Sequence, residues 1–548
     1  MTDQRAAVRQ VIFNHLAGIV LAPTIKALSD RRTFDMFVDQ TVPLSLDQIV
    51  QKTHANRGYM RVALRLLSAA GWLEQHCDES GRNPGYALTR KGRSILKVAT
   101  MLYGEATSFV PKAIFLEEFL FGKTDSPVLP SLQELVRRSK EHWGIIPRSD
   151  AAEAELDEEI RQHLDGMLVG PCMAALARAG ILAEIEQGPV NIDAIPANHS
   201  SLMLILDLLA SQGWIACDRS LVRLTPCGAY AAQIATSYGV TVSYLPLLDN
   251  VSTLLFGNPR IPRVDENGVE LLVNRGMNVW GSGGAHKTYF KKLDEIAIEI
   301  FNAPLHLQPK GICDMGCGDG TLLMHLYEAV RSKTLRGSVL DKHPLALIGV
   351  DFNKVARRVT KRNLNKAQLP CSFVIAGDIN RPAQLAGDLE ALGYDIHEML
   401  HVRSFLDHNR PYSAPAGYVQ GSRQGRSTGA FAHLGEDIPP DVLEENLVRH
   451  LRRWAPYVGR FGLLMLELHT LPPQVTAANL NNTPTVAYDG THGFSDQYLV
   501  ELPVFLECAR EAGLQANSSL QSKFPPSELA TVSLNFFTAL DSERPALQ

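Results

Sequence analysis

The sequence has no apolar run approaching the ~20 residues that a membrane span needs. Its first residues, Met1-Thr-Asp-Gln-Arg5, lack the basic-then-apolar order of a secretory signal. There is no Cys-x-x-Cys pair, and the eight cysteines are scattered. Cys313 and Cys317 flank a glycine turn where a disulfide would obstruct a ligand, so reduced thiols in a cytoplasmic protein are expected. Positive charge is not in excess: 53 Lys and Arg against 58 Asp and Glu give a formal net charge of -5. That balance argues against a general binder of nucleic acid or of a membrane surface. What remains is ordinary for a globular protein, 45% hydrophobic and 20% charged over 548 residues, with length for two or three domains.

The most telling stretch is Gly311-Ile-Cys-Asp-Met-Gly-Cys-Gly-Asp-Gly-Thr321. It sets Asp314, Gly316, Gly318 and Gly320 at alternate positions after a short apolar approach. A second apolar run, Leu345-Ala-Leu-Ile-Gly-Val350, ends in Asp351, and Cys371-Ser-Phe-Val-Ile-Ala-Gly-Asp378 reads as a third strand. Strand, glycine turn, helix and a strand ending in a carboxylate make half of a nucleotide-binding α/β unit. The glycines let backbone pass close to a ligand, and Asp351 can accept from both ribose hydroxyls. The spacing is not the Gly-x-Gly-x-x-Gly of dinucleotide sites. Arg331 to Pro344 is polar and reads as an inserted loop.

The first 235 residues contain a repeat. Leu66-Leu-Ser-Ala-Ala-Gly-Trp72 recurs as Leu208-Leu-Ala-Ser-Gln-Gly-Trp214, and each is followed by Leu-Thr-x-x-Gly, at Leu88 and at Leu224. Helix, Gly-Trp, strand, turn, strand outlines a winged helix, with Asp78 to Gly85 as the longer wing of the first copy. Arg57, Arg61 and Arg65, four apart on one helix face, raise the possibility of DNA binding; the second copy has Asp207 and no base there. An architectural role is favoured over nucleic-acid binding. Asn278 to Phe290, glycine-rich with His286, Lys287 and Tyr289, reads as a loop able to act as a lid. Strands four and five are expected within Asp395 to Arg403 and Phe461 to Glu467, with a Gly/Ser/Pro-rich excursion at 410–440 between them. From Thr485 an antiparallel pair should finish the sheet, and 540–548 should fray. The expected divisions are 1–105, 106–235, 236–300 and 301–548.

Ligands of an open α/β sheet bind beyond the carboxyl ends of its strands. Asp407 and His408 follow strand four and His469 follows strand five. Two imidazoles and a carboxylate suit a facial metal site with Fe2+ or Mn2+. The alternative is His408 as general base oriented by Asp407, with no metal. A third polar cluster, Asp489-Gly-Thr-His-Gly-Phe-Ser-Asp-Gln-Tyr498, adds His492 as a catalytic candidate and Gln497 as a further metal ligand.

The Asp-x-Gly-x-Gly-x-Gly segment resembles motif I of class I S-adenosylmethionine-dependent methyltransferases. The resemblance implies an α/β fold, with a seven-stranded Rossmann-like methyltransferase sheet behind a mostly helical half containing the two winged-helix-like repeats. It implies that Asp314, Gly316, Gly318, Gly320, Asp351, Phe352, Asp378 and Ile379 hold the cofactor. Winged-helix units in such enzymes dimerise or close over substrate, so a homodimer is one expected arrangement. His401 to Tyr412, Asn278 to Gly283 and His492 to Tyr498 are similar to C-methyltransferase domains that start some bacterial polyketide assembly lines, some of them iron- or manganese-dependent. That likeness implies methyl transfer to a carbon α to a carbonyl, in a small or carrier-protein-bound acyl substrate or a 2-oxo acid. A metal-free O-methyltransferase and a cofactor-sensing DNA-binding regulator are the competing readings.

Overall fold

The computed structural model describes residues 2–38, 40, 42–76, 83–122, 129–284 and 286–539. Most of the expected first wing and the end expected to fray, 540–548, lie outside them, as do the side chains of His286 and Lys287. The chain forms two compact units. The first comprises 1–285 together with 430–438 and 472–496, and the second comprises 286–429, 439–471 and 497–548. The break between the two units falls at 285/286, and two segments of the C-terminal half return to complete the N-terminal unit.

In the first unit both repeats fold alike. Helices Arg57–Ala69 and His199–Ser211 are each followed by a positive-φ glycine, Gly71 and Gly213. The next residues, Trp72 and Trp214, donate back to Leu67 and Leu209 in a left-handed helix stop. Thr89 and Thr225 donate their N–H to the two tryptophan carbonyls and cap the following helices through Gly92 and Gly228. A Cβ at Gly92 or Gly228 would strike those same carbonyls, at 2.1 and 1.6 Å, which is why Leu-Thr-x-x-Gly recurs. Each copy closes with a three-stranded antiparallel sheet.

The duplication runs further than the sequence reading found. Helix Thr2–Asp30 contains His15-Leu-Ala-Gly18 and Pro23, and helix Ala151–Arg178 contains His163-Leu-Asp-Gly166 and Pro171. The two helices cross at those glycines: a Cβ on Gly18 would lie 2.2 Å from the His163 carbonyl oxygen, and one on Gly166 2.4 Å from His15 Cα. His15 Nδ1 meets the Tyr238 hydroxyl and His163 Nδ1 meets that of Tyr103, both at 2.6 Å. Burial pulls both imidazoles down to about 3. Each copy's long helix therefore hydrogen-bonds a tyrosine of the other copy. Helix Asp3–Asp30 is long and apolar enough to cross a membrane, with a mean hydropathy of 1.6, which the absence of an apolar run had argued against. Its apolar window is 83% buried in this fold, as a core helix should be.

The returning segments dock on the first copy. A hairpin, Phe431–His433 with Glu436–Ile438, lies on helix Arg57–Ala69, where the Gly58 N–H donates to Gly435 O at 2.8 Å. Asp437 pairs with Arg57 and Arg61, and Asp489 pairs with Arg65 at 3.1 Å. Asp496 accepts from the Tyr59 hydroxyl and from Arg263. The arginines expected on a duplex-reading face thus hold carboxylates of their own chain, with Arg61 and Arg65 each 3% exposed. Residues 275–283 are helix, not a glycine loop, because Gly281 packs against Gly239 closely enough to exclude a Cβ on either.

The second unit is a mixed sheet. Its strands are β1 Gly311–Met315, β2 Ala346–Asp351, β3 Ser372–Ala376, β4 Met399–Ser404, β5 Leu463–Leu468, β6 Leu514–Ala516, β7 Ser522–Phe524 and β8 Val532–Ala539. The order is β6-β8-β5-β4-β1-β2-β3, with β7 also pairing with β8. The five central strands are parallel, and β8 runs antiparallel to β5, β6 and β7. The expected seven strands are there, plus the short β7. The antiparallel end begins at Leu514, not at Thr485, and has three strands. In the polar stretch 331–344 the preceding helix ends at Lys333 and a 3-10 turn, Leu335–Val339, follows; Arg336 in it donates to the carbonyls of His343 and Pro344.

Candidate functional site

The cofactor turn is built from β1, β2 and the helix Thr321–Lys333. Gly316, Gly318 and Gly320 all have positive φ, which only glycine adopts without strain. The Gly316 and Cys317 N–H groups donate to Val350 O, drawing the turn onto β2. A Cβ on Gly318 would meet nothing within 4 Å, so that face of the turn is open. Asp351 accepts from the Gly318 N–H at 3.1 Å and from the Asn353 N–H at 2.7 Å. Phe352, beside it, is 82% exposed. Asp314 lies under the turn, 1% exposed, with Oδ1 lacking any hydrogen-bond partner. Burial, reinforced by Asp351 and Asp319, pushes its carboxyl up to about 8. A buried carboxyl with an unpartnered oxygen beneath an open glycine cradle, whose ionised form a nearby cation would stabilise, fits a ligand that brings one, and S-adenosylmethionine carries an ammonium and a sulfonium. Asp378 caps the next turn through the Asn380 N–H, and Ile379, 5% exposed, gives its carbonyl to Trp454 Nε1 at 2.7 Å.

The loop after β4 closes over this turn: a Cβ on Gly316 would come within 2.9 Å of Leu406, two residues before His408. His408 Nδ1 makes a short contact with Glu467 Oε1, and Glu467 Oε2 accepts from the Asp407 and His408 N–H groups. The orienting carboxylate is Glu467 of β5, not Asp407. Asp407 instead accepts from Arg403 at 2.7 Å and bonds His450 Nε2 at 2.9 Å. Burial would raise its carboxyl, but Arg403 and His450 overcome that and hold it at about 2. His450 itself is lowered to about 4 by burial, partly countered by Asp407.

As a metal site the expected set does not fit. Asp407 Oδ1 is already engaged by the Arg403 guanidinium and by the neutral His450 ring. His469 turns toward β8 and uses both ring nitrogens, on Val500 O and on Ser533 Oγ. Gln497 is buried at the start of the second unit's last segment, 497–548. Among the described residues no three His, Cys, Asp or Glu side chains are grouped to hold an ion. His492 belongs to the first unit, where its Nδ1 lies 2.9 Å from Tyr488 O.

Sequence reasoning missed a supporting helix, Pro440–Val458. Asn446, His450 and Trp454, four apart, present one face. Asn446 accepts from Arg410 at 2.8 Å, His450 bonds Asp407, and Trp454 lies 4.0 Å under the Arg403 guanidinium. The excursion 410–429 is pinned to this helix and the next by Arg423 and Arg426 against Glu444 and Glu511. The spacing of 446, 450 and 454, and the lone acid Glu467 in an apolar strand, were the available signals.

Three family models match in succession: AprA N-terminal domain over 8–75, AprA winged helix domain over 165–258, and AprA MT2-like domain over 270–535. The chain carries an AprA-like methyltransferase domain. It is an S-adenosylmethionine-dependent methyltransferase of class I. Among solved structures, the mitomycin 7-O-methyltransferase MmcR is 14% identical, covering 71% of this chain and 99% of its own, with a TM-score of 0.41. Human N-acetylserotonin methyltransferase, in complex with S-adenosylmethionine, is 12% identical, covering 72% and 99%, with a TM-score of 0.38. The dimethyltransferase RosA from Streptomyces davawensis is 14% identical, covering 71% and 99%, at 0.36. Likeness at these scores carries nothing further. No curated protein matches the chain.

Proposed function

We propose that this AprA-like enzyme methylates a carbon α to a carbonyl in an acyl substrate of secondary metabolism, a β-keto or malonyl thioester or a 2-oxo acid. The observation that carries the reading is the His408–Glu467 pair at the carboxyl ends of β4 and β5, beside the glycine turn. A carbonyl-activated carbon is a poor nucleophile until its proton is removed. His408 takes that proton, and Glu467 holds the ring orientation and stabilises the imidazolium that results. Bound S-adenosylmethionine supplies a methyl group on a sulfonium, which leaves as a neutral thioether. Asp314 would meet the cofactor's positive charge, and Asp351 would accept from its ribose. Arg403, Asp407 and His450 keep the base loop in register, so that proximity does the rest. Among the described residues the divalent ion that sequence similarity suggested finds no grouped ligand set, and His469, one of its proposed ligands, already uses both ring nitrogens.

The test is turnover of a panel of malonyl, β-keto and 2-oxo substrates with carbon-13-labelled methyl donor, read by NMR. A product methyl on carbon supports the reading. A methyl on oxygen overturns it in favour of an O-methyltransferase using the same base. Glu467→Gln should lower kcat on the order of 10²-fold with cofactor affinity unchanged.

A further inference from the structure

Helix Lys354–Lys366, the one that follows Asp351, holds six basic residues and no acid in thirteen positions, in a chain whose net charge is -5. Lys354, Arg358, Arg362 and Lys366 form an unbroken i, i+4 line, with Lys361 beside it, and all five are exposed. Like charges at that spacing repel and weaken a helix. Other surface helices neutralise their bases: Arg137 with Glu134 and Glu141, Arg331 with Glu328, Arg510 with Glu507. Among the described residues none of these five has a carboxylate partner. The helix is nevertheless firmly seated. Thr360 donates to Gly318 O at 2.8 Å and Asn363 to Asp319 O at 2.9 Å, so its inner side is fixed to the cofactor turn. At its start Phe352 and Val355 stand 82% and 42% exposed next to Asp351.

From this we infer that the outer face of helix Lys354–Lys366 docks an acidic protein, the one that carries the acyl substrate to the enzyme. Uncompensated positive charge steers and orients an acidic partner, and two apolar side chains at the rim give it a contact that a phosphate backbone does not match. A long duplex would also run from this helix onto a molecule of net negative charge. The face begins at the residue beside the ribose acceptor, so a partner seated there presents its cargo at the site's edge. The inference rests on the proposal that the substrate is an acyl group, but the docking is measured without turnover.

The experiment is fluorescence-anisotropy binding of a malonyl-loaded acyl carrier protein to the full chain at low and high salt. The triple variant Lys361→Glu/Arg362→Glu/Lys366→Glu lies away from Asp351, and the neutral variant Lys361→Gln/Arg362→Gln guards against misfolding; both must keep cofactor affinity. Binding should weaken at least about tenfold in the triple variant and about threefold in the neutral one, and the salt dependence should flatten. In turnover, KM should rise for carrier-borne malonyl and stay level for malonyl-pantetheine. Inactivity toward both malonyl substrates would count against the methylation proposal and leave the binding result standing. Equal carrier binding by parent and both variants overturns the docking face. So does a duplex oligonucleotide that binds with the same charge dependence while the carrier does not.

Discussion

Where the first winged-helix copy has Arg65, the second has Asp207 at the equivalent position, one residue before the paired Leu66 and Leu208. Arg65 is buried and joined to Asp489, their side chains 3% and 4% exposed. Asp207 meets Lys140 in solvent, at 47% and 46%. The backbone around them is the same, down to the Gly-Trp stop and the threonine cap. Duplication supplied two equal frames, and only one was loaded with the charges that bind the returning segments. The difference between the copies lies in which helix face is covered by carboxylates of the returning segments.

Arg65→Ala should be the severest way to break this contrast. It leaves Asp489 short of a buried cation, a loss of about 3–5 kcal/mol, read by urea denaturation. Next come Gly18→Val and Gly166→Val. Each forces a side chain into the partner helix's backbone and should cost up to about 3 kcal/mol; unequal costs would show that the crossing is less symmetric than its contacts.

The two buried histidines sharpen the comparison by titration. Their folded pKa of about 3 lies below the unfolded 6.5, so the unfolded chain binds the protons first. The stability they contribute is full above pH 6.5 and is lost as pH falls toward 3. Each should contribute a slope of roughly 1.4 kcal/mol per pH unit, or about 2 kcal/mol by pH 5. His15→Gln and His163→Gln should each remove one such slope from the stability profile; a profile unchanged in either variant contradicts its neutral burial. Asp207→Ala should be nearly silent, at about 0.5 kcal/mol or less. A large loss there would mean that the second copy is loaded too.

The cofactor turn was legible in the sequence because its determinants are local: three glycines, an acid beneath them, an acid at the end of the next strand. The winged-helix copies were legible for the same reason. The crossing of the two long helices was not, since its trace is a scatter of identities, His, Leu, Gly and Pro among them, with no long run of matching residues. His408 was found because it follows an expected strand. Its partner was not, because Glu467 hides inside an apolar run and Asp407 stood adjacent in sequence. His469 was placed on the right strand but turns toward β8. The cluster 489–496 looked like active-site chemistry because polar residues between glycines do. Those glycines serve close packing instead: a Cβ on Gly490 would lie 2.0 Å from Val20, and one on Gly493 2.8 Å from Val62. No local pattern announces a contact more than 400 residues away.

The returning segments also set an order of events during synthesis. The N-terminal unit needs residues 430–438 and 472–496, which leave the ribosome roughly 150 to 210 residues after Ala285. At ~5–20 residues per second, the first copy waits on the order of 10–40 s with Arg57, Arg61 and Arg65 lacking the carboxylates that will cover them. A nascent chain in that interval has a nearly finished domain with an open, positively charged seat. The N-terminal unit therefore cannot be completed before Asp496 has emerged, and cutting the gene at the 285/286 break would leave the N-terminal product permanently at that stage.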